Sequence, residues 1–452
     1  MATRYISSKT AFLYKNKTGN ARHYIFIHGD VVKTKGKPQG NPKNKRIKVS
    51  TRYSNVDGWV NEGSLVEKPS LEMYFIDVGQ GDSTFIVTPK RKTILIDGGE
   101  NDHAFRFLSW KYDLKKVKPN NPVIIDLLVL SHGDEDHLKG LIPIIKSPKI
   151  KIKKIIHNGL GLYKKNSKHN EKLGKLESIG GKKYITTSHD RLSDLKDSEL
   201  RANFQEWKDA IADEGVSDYS AVDTLSDLSM DDPDIKLEVV SPINEVDSNG
   251  DRIFRWFGDH GPTINGHSVA LRLTYEKVKI LLSGDLNKKG SKYMMESTAL
   301  QKLMDAHILK SPHHGSGDFY DKWLDYVNPQ ASVISSGDNT DHGHPRANFI
   351  ASIGKSSRSK SLVFSTEIAG SFTKLTKEEK KKIKISRKDM LHLNDKQYNE
   401  LRILFKRRLH GMINVRTDGK KIFSARRVSA GYMWESYGGD SPSRRSIPTK
   451  SI

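Results

Sequence analysis

One short segment of the chain concentrates side chains that bind metal ions. Directly after the apolar run 124–130, the sequence reads Ser-His-Gly-Asp-Glu-Asp-His and supplies His132, Asp134, Asp136 and His137. Two imidazoles and two carboxylates this close suit a pair of divalent cations better than one ion, because alternate residues of a tight turn point to different sides. Such a site predicts attack of metal-activated water on an electrophile. The alternative is an ordinary solvated turn with a helix cap.

Distant segments repeat the pattern in which an apolar strand is followed by an acid or a histidine. They lie in the runs Asp-Gly-Gly, Ser-Gly-Asp, Ser-Pro-His-His-Gly-Ser and His-Gly-His-Pro, and supply Asp97, Asp285, His313, His314 and His344. This recurrence disfavours the solvated turn. Strands that alternate with helical segments predict a layered α/β body, in which loops at the strand ends gather the active-site groups.

Composition limits both the class of protein and the kind of metal site. The chain has 452 residues, of which 35% are hydrophobic, enough for one large or two to three ordinary domains. It has no cysteine, so any metal must be held by His, Asp and Glu. No apolar run approaches the ~20 residues of a membrane-spanning helix, and the first residues lack the apolar core of a signal peptide. We therefore expect a cytoplasmic protein that does not enter a membrane.

The excess positive charge lies at the two ends of the chain. Residues 1–68 carry 14 Lys and Arg against 4 Asp and Glu, and residues 376–452 carry 20 against 8. The middle, 69–375, is balanced at 42 against 42. A neutral catalytic body between two basic modules predicts a polyanionic partner such as nucleic acid. The alternative is a merely solvated basic surface.

These differences divide the chain into three predicted units. The first, 1–68, ends in Gly-Trp-Val followed by Leu-Val. This ending resembles the last strands of bacterial Src-homology-3-like barrels, which implies a small β-barrel that docks a protein partner. The second, 69–375, is the catalytic body, with an insertion at about 160–235 that covers the site as a lid. The basic residues of the first unit that are equally suited to bind phosphate are Lys43, Lys45, Arg46, Lys48 and Arg52.

The third unit, 376–452, is predicted to be a small basic α+β module. Its helix begins at a cap, Asn394 or Asp395, and stops at Gly411. A hairpin follows, with the turn Thr-Asp-Gly-Lys at 417–420, and the tail from Gly438 is predicted to be disordered. The basic residues of the hairpin are Arg416, Lys420, Lys421, Arg426 and Arg427, and the nearby aromatic residues Tyr432, Trp434 and Tyr437 either stack on bases or form a small core.

The ordered series of motifs resembles the metallo-β-lactamase superfamily, and most closely the hydrolase domain of ComEC-type competence proteins and its stand-alone relatives. The resemblance covers roughly 71–370 and includes Phe-Ile-Asp-Val-Gly-Gln-Gly-Asp at 75–82 and Asn-Gly-His-Ser-Val at 265–269. It implies a four-layer αββα sandwich with two metal ions at one edge of the sheets. It also implies six metal ligands: His132 and Asp134 on one ion, Asp136 and His137 on the other, Asp285 bridging both, and His344 completing the second ion's shell.

The same resemblance suggests which ions bind and which residues support them. Asp134 stands where the superfamily usually has a histidine, and an oxygen ligand shifts the preference from Zn²⁺ toward Mn²⁺. We expect two divalent ions, Mn²⁺ or Zn²⁺. Asp97 would orient ligands from behind the site, whereas Asp77 and Asp82 would shape the neighbouring loop.

Hydrolysis of a phosphodiester expels an alkoxide, which an imidazole with a pKa near neutrality can protonate. We expect His314 to be this acid or a phosphate clamp, with His313 as its rival, and either could instead bind metal. Asp136 would also accept the proton of the attacking water.

The usual third-motif histidine of the superfamily is missing at its expected spacing before Ser268. Asn265 stands nearer that place, and we expect Asn265 and Ser268 to contact the substrate. His267 is left open as a ligand, a substrate contact or a loop residue. Outside the motifs, the histidines predicted to lie on the surface are His103, His157, His169 and His189.

The function that these patterns favour is a two-metal phosphodiesterase acting as a nuclease on DNA or RNA. The first alternative is a small-molecule metallo-hydrolase for a phosphodiester, phosphocholine ester, thioester or lactone. The second is a catalytically inert nucleic-acid-binding protein with a structural metal. The sequence separates neither DNA from RNA nor exonuclease from endonuclease action, and it leaves the oligomeric state undetermined.

Overall fold

Two stacked β-sheets with helices on their outer faces form the body of the protein. The computed structural model describes residues 1–41, 44–51, 57–165, 168–191, 194–195, 197–337, 342–358, 361–366, 394, 396–397, 411–427 and 434–439. In these residues the strands are β1 (Thr3–Ile6), β2 (Thr10–Tyr14), β3 (Arg22–Ile27), β4 (Val31–Gln39), β5 (Arg46–Thr51), β6 (Asp57–Asn61), β7 (Leu65–Val66), β8 (Leu71–Phe75), β9 (Thr84–Val87), β10 (Thr93–Ile96), β11 (Val123–Val129), β12 (Ile150–His157), β13 (Leu176–Ile179), β14 (Lys182–Ile185), β15 (Asp218–Ala221), β16 (Asp227–Leu228), β17 (Ile235–Ser241), β18 (Phe254–Arg255), β19 (Ala270–Tyr275), β20 (Val278–Leu282), β21 (Ile308–Lys310), β22 (Ala331–Ile334), β23 (Leu362–Ser365), β24 (Ile413–Thr417), β25 (Ile422–Arg427) and β26 (Trp434–Gly439).

The helices alternate with strands along residues 103–356 of the sequence. Within the described residues, none is both long and apolar enough to cross a membrane. They are α1 (His103–Tyr112), α2 (Glu135–Leu138), α3 (Ile142–Ile145), α4 (Ala202–Asp213), α5 (His260–Gly266), α6 (Lys288–Met294), α7 (Thr298–Leu303), α8 (Asp321–Val327) and α9 (Ala347–Ser356).

The two large sheets and their helices form four layers. The first sheet has the strand order β15-β12-β11-β10-β9-β8-β24-β25-β26, and the second has β16-β17-β19-β20-β21-β22-β23. Alternation along each strand separates the cores, since Phe75 packs between the sheets while its neighbour Tyr74 packs against the helices over the first sheet. In the second sheet Leu282 faces the first sheet and Leu281 faces the outer helices. The predicted αββα sandwich is confirmed.

The N-terminal unit is an antiparallel sheet with its own small core. Its strand order is β3-β2-β6-β5-β4-β1-β7, and Leu13, Val49 and Val60 are among the residues packed on its inner face. In the described part of the chain the edge strands β3 and β7 do not pair with each other. The closed barrel therefore stays a prediction.

The insertion contributes to the body as well as covering it. Phe204 and Trp207 of α4 are buried in the core over the first sheet, and β15 pairs in parallel with β12. The insertion also reaches residues 132–137, where Asn203 Nδ2 donates a hydrogen bond to Glu135 Oε1 at 2.5 Å. The predicted boundaries of the units and the role of this segment as a lid stay predictions, but the segment shares the core and the first sheet of the body.

The C-terminal hairpin belongs to the first sheet, which corrects its placement in a module of its own. β24 pairs antiparallel with β8, with Ile413 opposite Phe75, and β24 and β25 join at the predicted turn. The physical reason is hydrophobic, because Ile413 and Val415 are buried in the core between the two sheets.

Other predictions for the ends of the chain fall largely outside the described residues. Asn394 and Gln397 exchange hydrogen bonds of 2.9 and 3.0 Å, the reciprocal arrangement that is typical of a helix start. The rest of that helix, the tail beyond Gly439, and the residues Lys43, Arg52 and Tyr432 lie outside the described residues. The sequence predicts disorder from Gly438, but Gly438 and Gly439 belong to β26.

Arg416 joins the hairpin to the N-terminal sheet. Its side chain is 10% exposed, and its Nη1 donates to Asp30 Oδ1 at 2.8 Å and to the His28 carbonyl at 2.6 Å. The His28 ring also stacks on Phe423 of β25, with 4.1 Å between the ring centroids. One of the basic residues attributed to nucleic-acid binding is thus part of the interior.

We predict that Arg416→Met lowers the free energy of unfolding by about 3–5 kcal/mol, because it leaves the Asp30 carboxylate without its buried partner. Lys420→Met is the matched control, since Lys420 is exposed on the same hairpin, and it should change stability by less than about 0.5 kcal/mol. Denaturant unfolding of both variants measures the difference. Equal stability of the two variants would contradict the role given to Arg416.

Candidate metal centre

The chemistry-bearing segments meet where strands of both sheets end. β10 and β11 are parallel neighbours in the first sheet, and β20 and β21 are parallel neighbours in the second. Loops that follow parallel strands lie at one edge, so the distant motifs of the sequence become neighbours. The segments gathered there follow β8, β10, β11, β20 and β21 and contain Asp82, Asp97, residues 132–137, Asp285, and His313 with His314.

Three histidines are held through one ring nitrogen and turn the other toward the centre. His137 Nδ1 donates to Asp97 Oδ2 at 2.8 Å, and His314 Nδ1 donates to the Ser335 carbonyl at 3.0 Å. His132 Nδ1 hydrogen-bonds with Ser131 Oγ at 3.0 Å. The Nε2 atoms of all three rings are buried without a hydrogen-bond partner among the described residues. This is the arrangement that orients neutral imidazoles as metal ligands.

Carboxylate oxygens face these Nε2 atoms at separations suited to shared ions. Asp285 Oδ2 lies 3.4 Å from His137 Nε2 and 3.1 Å from His314 Nε2. Asp136 lies 3.8 and 3.5 Å from the same two nitrogens, and Asp134 Oδ2 lies 3.5 Å from His132 Nε2. Two ligand atoms that share an ion at 2.0–2.2 Å are about 3–3.6 Å apart. The donor set therefore fits divalent metal.

Neighbouring opposite charges favour the ionised forms of Asp285 and His137, although both side chains are buried. Burial alone would raise the pKa of Asp285, but His314 and His137 hold that pKa well below its usual range. Burial likewise opposes protonation of His137, yet Asp285, Asp97 and Asp136 raise its pKa well above the ordinary value. A bound cation would replace the proton on such a histidine, so metal binding and proton release are coupled.

Asp97 supports the centre from an unusual backbone conformation. Its φ of +57° lies in the left-handed region, which costs a non-glycine residue about 1–2 kcal/mol. In this conformation its Oδ1 accepts from the Ser131 amide at 2.8 Å while its Oδ2 holds His137. This geometry suits the role predicted for Asp97, which is to orient a ligand from behind the site.

Two consecutive histidines occupy a turn with left-handed backbone at both positions. His313 and His314 have φ values of +45° and +54° and lie in the 3-10 turn Pro312–Gly315 after β21. The turn sends His314 into the interior, whereas the side chain of His313 is 24% exposed and its Nε2 lies 3.9 Å from Asp285 Oδ2. Solvent thus reaches His313, and His314 is enclosed.

Asp82 joins the centre, although the sequence predicted only a loop-shaping role for it. One ligand atom each from Asp82, His137, Asp285 and His314 lies within 4.8 Å of the others. The loop that carries Asp82 packs closely against the Asp136 backbone at Gly81, where a Cβ atom would lie 1.8 Å from the Asp136 carbonyl oxygen. A signal was available, because Asp82 ends the run Gly-Gln-Gly-Asp after a strand.

Lys310 is a buried cationic partner of Asp82 that sequence reasoning missed. Its side chain is 4% exposed and its Nζ forms an ion pair with Asp82 Oδ2. Nζ also donates to the Gly284 carbonyl at 3.0 Å and lies 3.9 Å from Asp285 Oδ1. Burial lowers the pKa of Lys310 well below its usual value, and the carboxylates of Asp82 and Asp285 lie beside its ammonium group. The sequence signal was a lysine ending an apolar strand one residue before the Ser-Pro-His-His motif.

The residues predicted to contact the substrate have different positions. Asn265 Nδ2 lies 3.5 Å from His313 Nε2, beside the exposed histidine. Ser268 is fully buried, and its Oγ accepts from the Asp285 amide at 3.1 Å and contacts His132 Nδ1 at 3.4 Å. Ser268 thus lies against two of the predicted metal ligands, His132 and Asp285, and its predicted contact with substrate stays a prediction.

Other histidines are placed by the hydrophobic core. His267 is buried, stacks on Phe257 and hydrogen-bonds to the Arg255 carbonyl at 2.9 Å, so it is not an exposed loop residue. The prediction of surface positions is wrong for His103, His157 and His189, which are buried. His344 has its ring centroid 6.1 Å from that of His314, and its role as a ligand stays a prediction.

We predict that Lys310→Met lowers the free energy of unfolding of the metal-free protein by about 3–5 kcal/mol, because the Asp82 carboxylate loses its buried partner. The double variant Lys310→Met/Asp82→Leu should recover part of this loss. Lys322→Met, at an exposed position on α8, is the control. Urea unfolding in the presence of a chelator measures all three. If Lys310→Met proves as stable as the control, the ion pair between Lys310 and Asp82 does not stabilise the fold.

Comparison with known proteins places this centre in a family. The family model described as "Metallo-beta-lactamase superfamily" matches residues 76–337. The ComE operon protein 3 of Bacillus subtilis (strain 168) is 24% identical over 287 residues, which are 61% of this chain and 29% of that protein. The chain thus spans less than a third of the length of this curated relative.

Two solved structures are also similar. Tm1679, described as a metal-dependent hydrolase of the beta-lactamase superfamily, is 10% identical with a TM-score of 0.33, over 65% of this chain and 95% of that one. Unliganded yeast PDE1 is 12% identical with a TM-score of 0.33, over 76% and 99%. The family model covers more than half of the chain and includes most of the segments that build the centre, and the chain belongs to the metallo-β-lactamase superfamily.

Proposed function

We propose that this protein is a two-metal phosphodiesterase that cleaves nucleic acid. The observation that carries the proposal is the group of buried imidazole Nε2 atoms facing carboxylate oxygens, with the partly exposed His313 beside it. Membership of a superfamily of metal-dependent hydrolases supports hydrolysis as the reaction class.

Two divalent cations, Mn²⁺ or Zn²⁺, fit the donor set. We assign His132 and Asp134 to one ion, Asp136 and His137 to the other, and Asp285 to a position between them. When bound, such ions supply Lewis acidity toward the phosphate and a water nucleophile at neutral pH. The oxygen donor at Asp134 favours Mn²⁺ over Zn²⁺.

The positions of His313 and His314 favour different roles for the two side chains. These roles reverse the expectation from the sequence, in which His314 was the preferred acid. His314 suits a ligand, since its Nδ1 is committed to Ser335 and its Nε2 faces Asp285. His313 is accessible to a substrate and is our candidate for protonating the leaving alkoxide. Asp136, whose Oδ2 accepts from Gln80 Nε2 at 2.9 Å, is the proposed acceptor of the proton from the attacking water.

Charge and resemblance support nucleic acid as the substrate. The surplus of 10 positive charges in residues 1–68 suits a polyanion, and the sequence motifs resemble the ComEC-type hydrolase domain. The competing candidate is a small-molecule diesterase, which is favoured by the balanced charge of residues 69–375. The predicted cytoplasmic location is kept as part of the proposal.

The test compares polymeric and small substrates on the full chain. Deletion of residues 376–452 is unsuitable, because it would remove β24 from its place beside β8. We predict that the metal-loaded protein cleaves single-stranded DNA, duplex DNA or RNA, with higher activity in Mn²⁺ than in Zn²⁺. Asp285→Asn should lower the rate by about 100-fold or more, since the proposed bridging carboxylate is lost while the side-chain volume is kept.

Asp231→Asn serves as the matched control because the Asp231 side chain is 87% exposed, and it should leave the rate unchanged. Hydrolysis of bis-p-nitrophenyl phosphate without cleavage of any polynucleotide would favour the small-molecule diesterase. A wild-type protein inactive on every substrate with either metal would contradict the proposed function and favour an inert binding protein.

A further inference from the structure

We propose that the outward side of the N-terminal sheet binds single-stranded nucleic acid. We call this surface the outer face and define it by Phe12, Tyr14, Arg22, Arg46, Lys48 and Trp59. The inference deepens the proposed function and rests on it for the class of substrate, but it concerns a surface on a different sheet from the metal centre.

The outer face follows from the alternation of side chains along two neighbouring strands. In β2, Leu13 packs in the core of the N-terminal sheet, whereas Phe12 and Tyr14 lie half-buried on the opposite side. In β6, Val60 is buried in the same core and Trp59 lies half-buried on the opposite side. Side chains that alternate out of a core in this way form a continuous surface.

The register of the strands brings the aromatic rings of the outer face together. Tyr14 of β2 pairs directly with Trp59 of β6, and the rings of Phe12 and Tyr14 are 6.2 Å apart between centroids. Directly paired residues of antiparallel strands are close enough for their side chains to touch. The three rings therefore form one aromatic strip across two strands.

Positively charged side chains are interleaved with this strip. The Arg22 guanidinium lies 3.6 Å from the centroid of the Phe12 ring, and the Arg46 guanidinium lies 3.5 Å from that of Tyr14. Lys48 of β5 pairs with Trp59 in the register of the sheet. Every ring of the strip thus has a cation as its neighbour.

The two arginines differ in what they can offer. Arg46 is 8% exposed and donates to the carbonyls of Asn16 and Gly19, so it holds the turn between β2 and β3 and fixes the Tyr14 ring. Arg22 is exposed, and its guanidinium lies over the Phe12 ring. The outer face therefore combines a rigid part with an accessible cation.

Negative charge near the outer face is sparse and already paired. Asp57 of β6 forms ion pairs with Lys35 at 2.7 Å and Lys48 at 3.9 Å. Residues 1–68 as a whole carry 14 Lys and Arg against 4 Asp and Glu. This charge balance favours a polyanion over a peptide.

Aromatic rings and cations in alternation match the chemistry of a single strand. Unpaired bases stack on aromatic rings and guanidinium planes, while the cations follow the phosphates, and this recognition depends little on sequence. In a duplex the bases are stacked on one another and are not available to stack on the aromatic rings of the outer face. A duplex should therefore bind mainly through its phosphate charges. Proline-rich peptides also use aromatic surfaces, and they are the competing occupant.

The experiment measures binding of a fluorescent oligothymidylate to the full chain, by anisotropy, in the presence of a chelator so that the strand stays intact. Trp59→Thr should weaken binding about ten-fold, since one stacking contact with a base is lost. Arg22→Glu/Lys48→Glu should weaken binding by at least about ten-fold and reduce the dependence of log affinity on log salt by about two. The matched control is Lys182→Glu/Lys183→Glu, the same change of charge at exposed positions on β14, which should have a smaller effect.

The outcomes separate this inference from the proposed function. Variants of the outer face that bind oligothymidylate as tightly as the wild type would overturn the inference, even if the protein cleaves DNA. A proline-rich peptide that binds the outer face without displacing the oligonucleotide would also overturn it. Weakened oligonucleotide binding in both variants, with native circular dichroism, would support it even if no nuclease activity were found. Should Trp59→Thr fail to fold, the charge-reversal pair alone decides.

Discussion

Several carboxylates lie close together in the buried candidate metal centre, where they repel one another. The rest of the centre depends on how this repulsion is offset. Asp82, Asp136 and Asp285 all lie within 3.5 Å of a nitrogen of His314. Lys310 offsets the charge of Asp82 from within the protein, and the histidines offset part of the remainder. The buried imidazole Nε2 atoms have no hydrogen-bond partner among the described residues and face carboxylate oxygens, an arrangement that suits cations. The same repulsion explains why the ligands are held by strand ends and strained turns, which keep the carboxylates close without any attraction between them.

Much of the centre was predictable because its motifs are local in sequence. His132, Asp134, Asp136 and His137 lie within six residues of one another, directly after a buried strand. Their recurrence with Asp285 at another strand end indicated a layered α/β body, and the resemblance to the metallo-β-lactamase superfamily implied the αββα sandwich and the edge at which the residues meet. Apolar residues in β8, β10 and β11 are buried on both faces, as expected of strands that lie between two layers.

What sequence could not predict depends on contacts between distant segments. The pairing of β24 with β8 joins residues more than 300 positions apart, and no local pattern distinguishes a hairpin that completes a sheet from one that stands alone. Arg416 and Arg46 illustrate the consequence, because a count of charges treats each as available while the fold uses both internally. Similarly, His267 lies one residue before Ser268 in a motif, yet the packing of Phe257 directs its ring into the core. Whether a polar side chain binds a ligand or stabilises the fold depends on whether it is buried, and the sequence alone does not show this.

We propose that the carboxylates and imidazoles form one centre for two divalent ions. Elemental analysis of the purified protein, after exposure to excess Mn²⁺ and removal of free metal, measures how many ions the centre holds. We predict two metal ions per chain, falling to one or fewer in Asp285→Asn, because Asp285 is the carboxylate that we propose to bridge the two ions. Fewer than one ion per chain in the wild type, or an unchanged stoichiometry in Asp285→Asn, would contradict it.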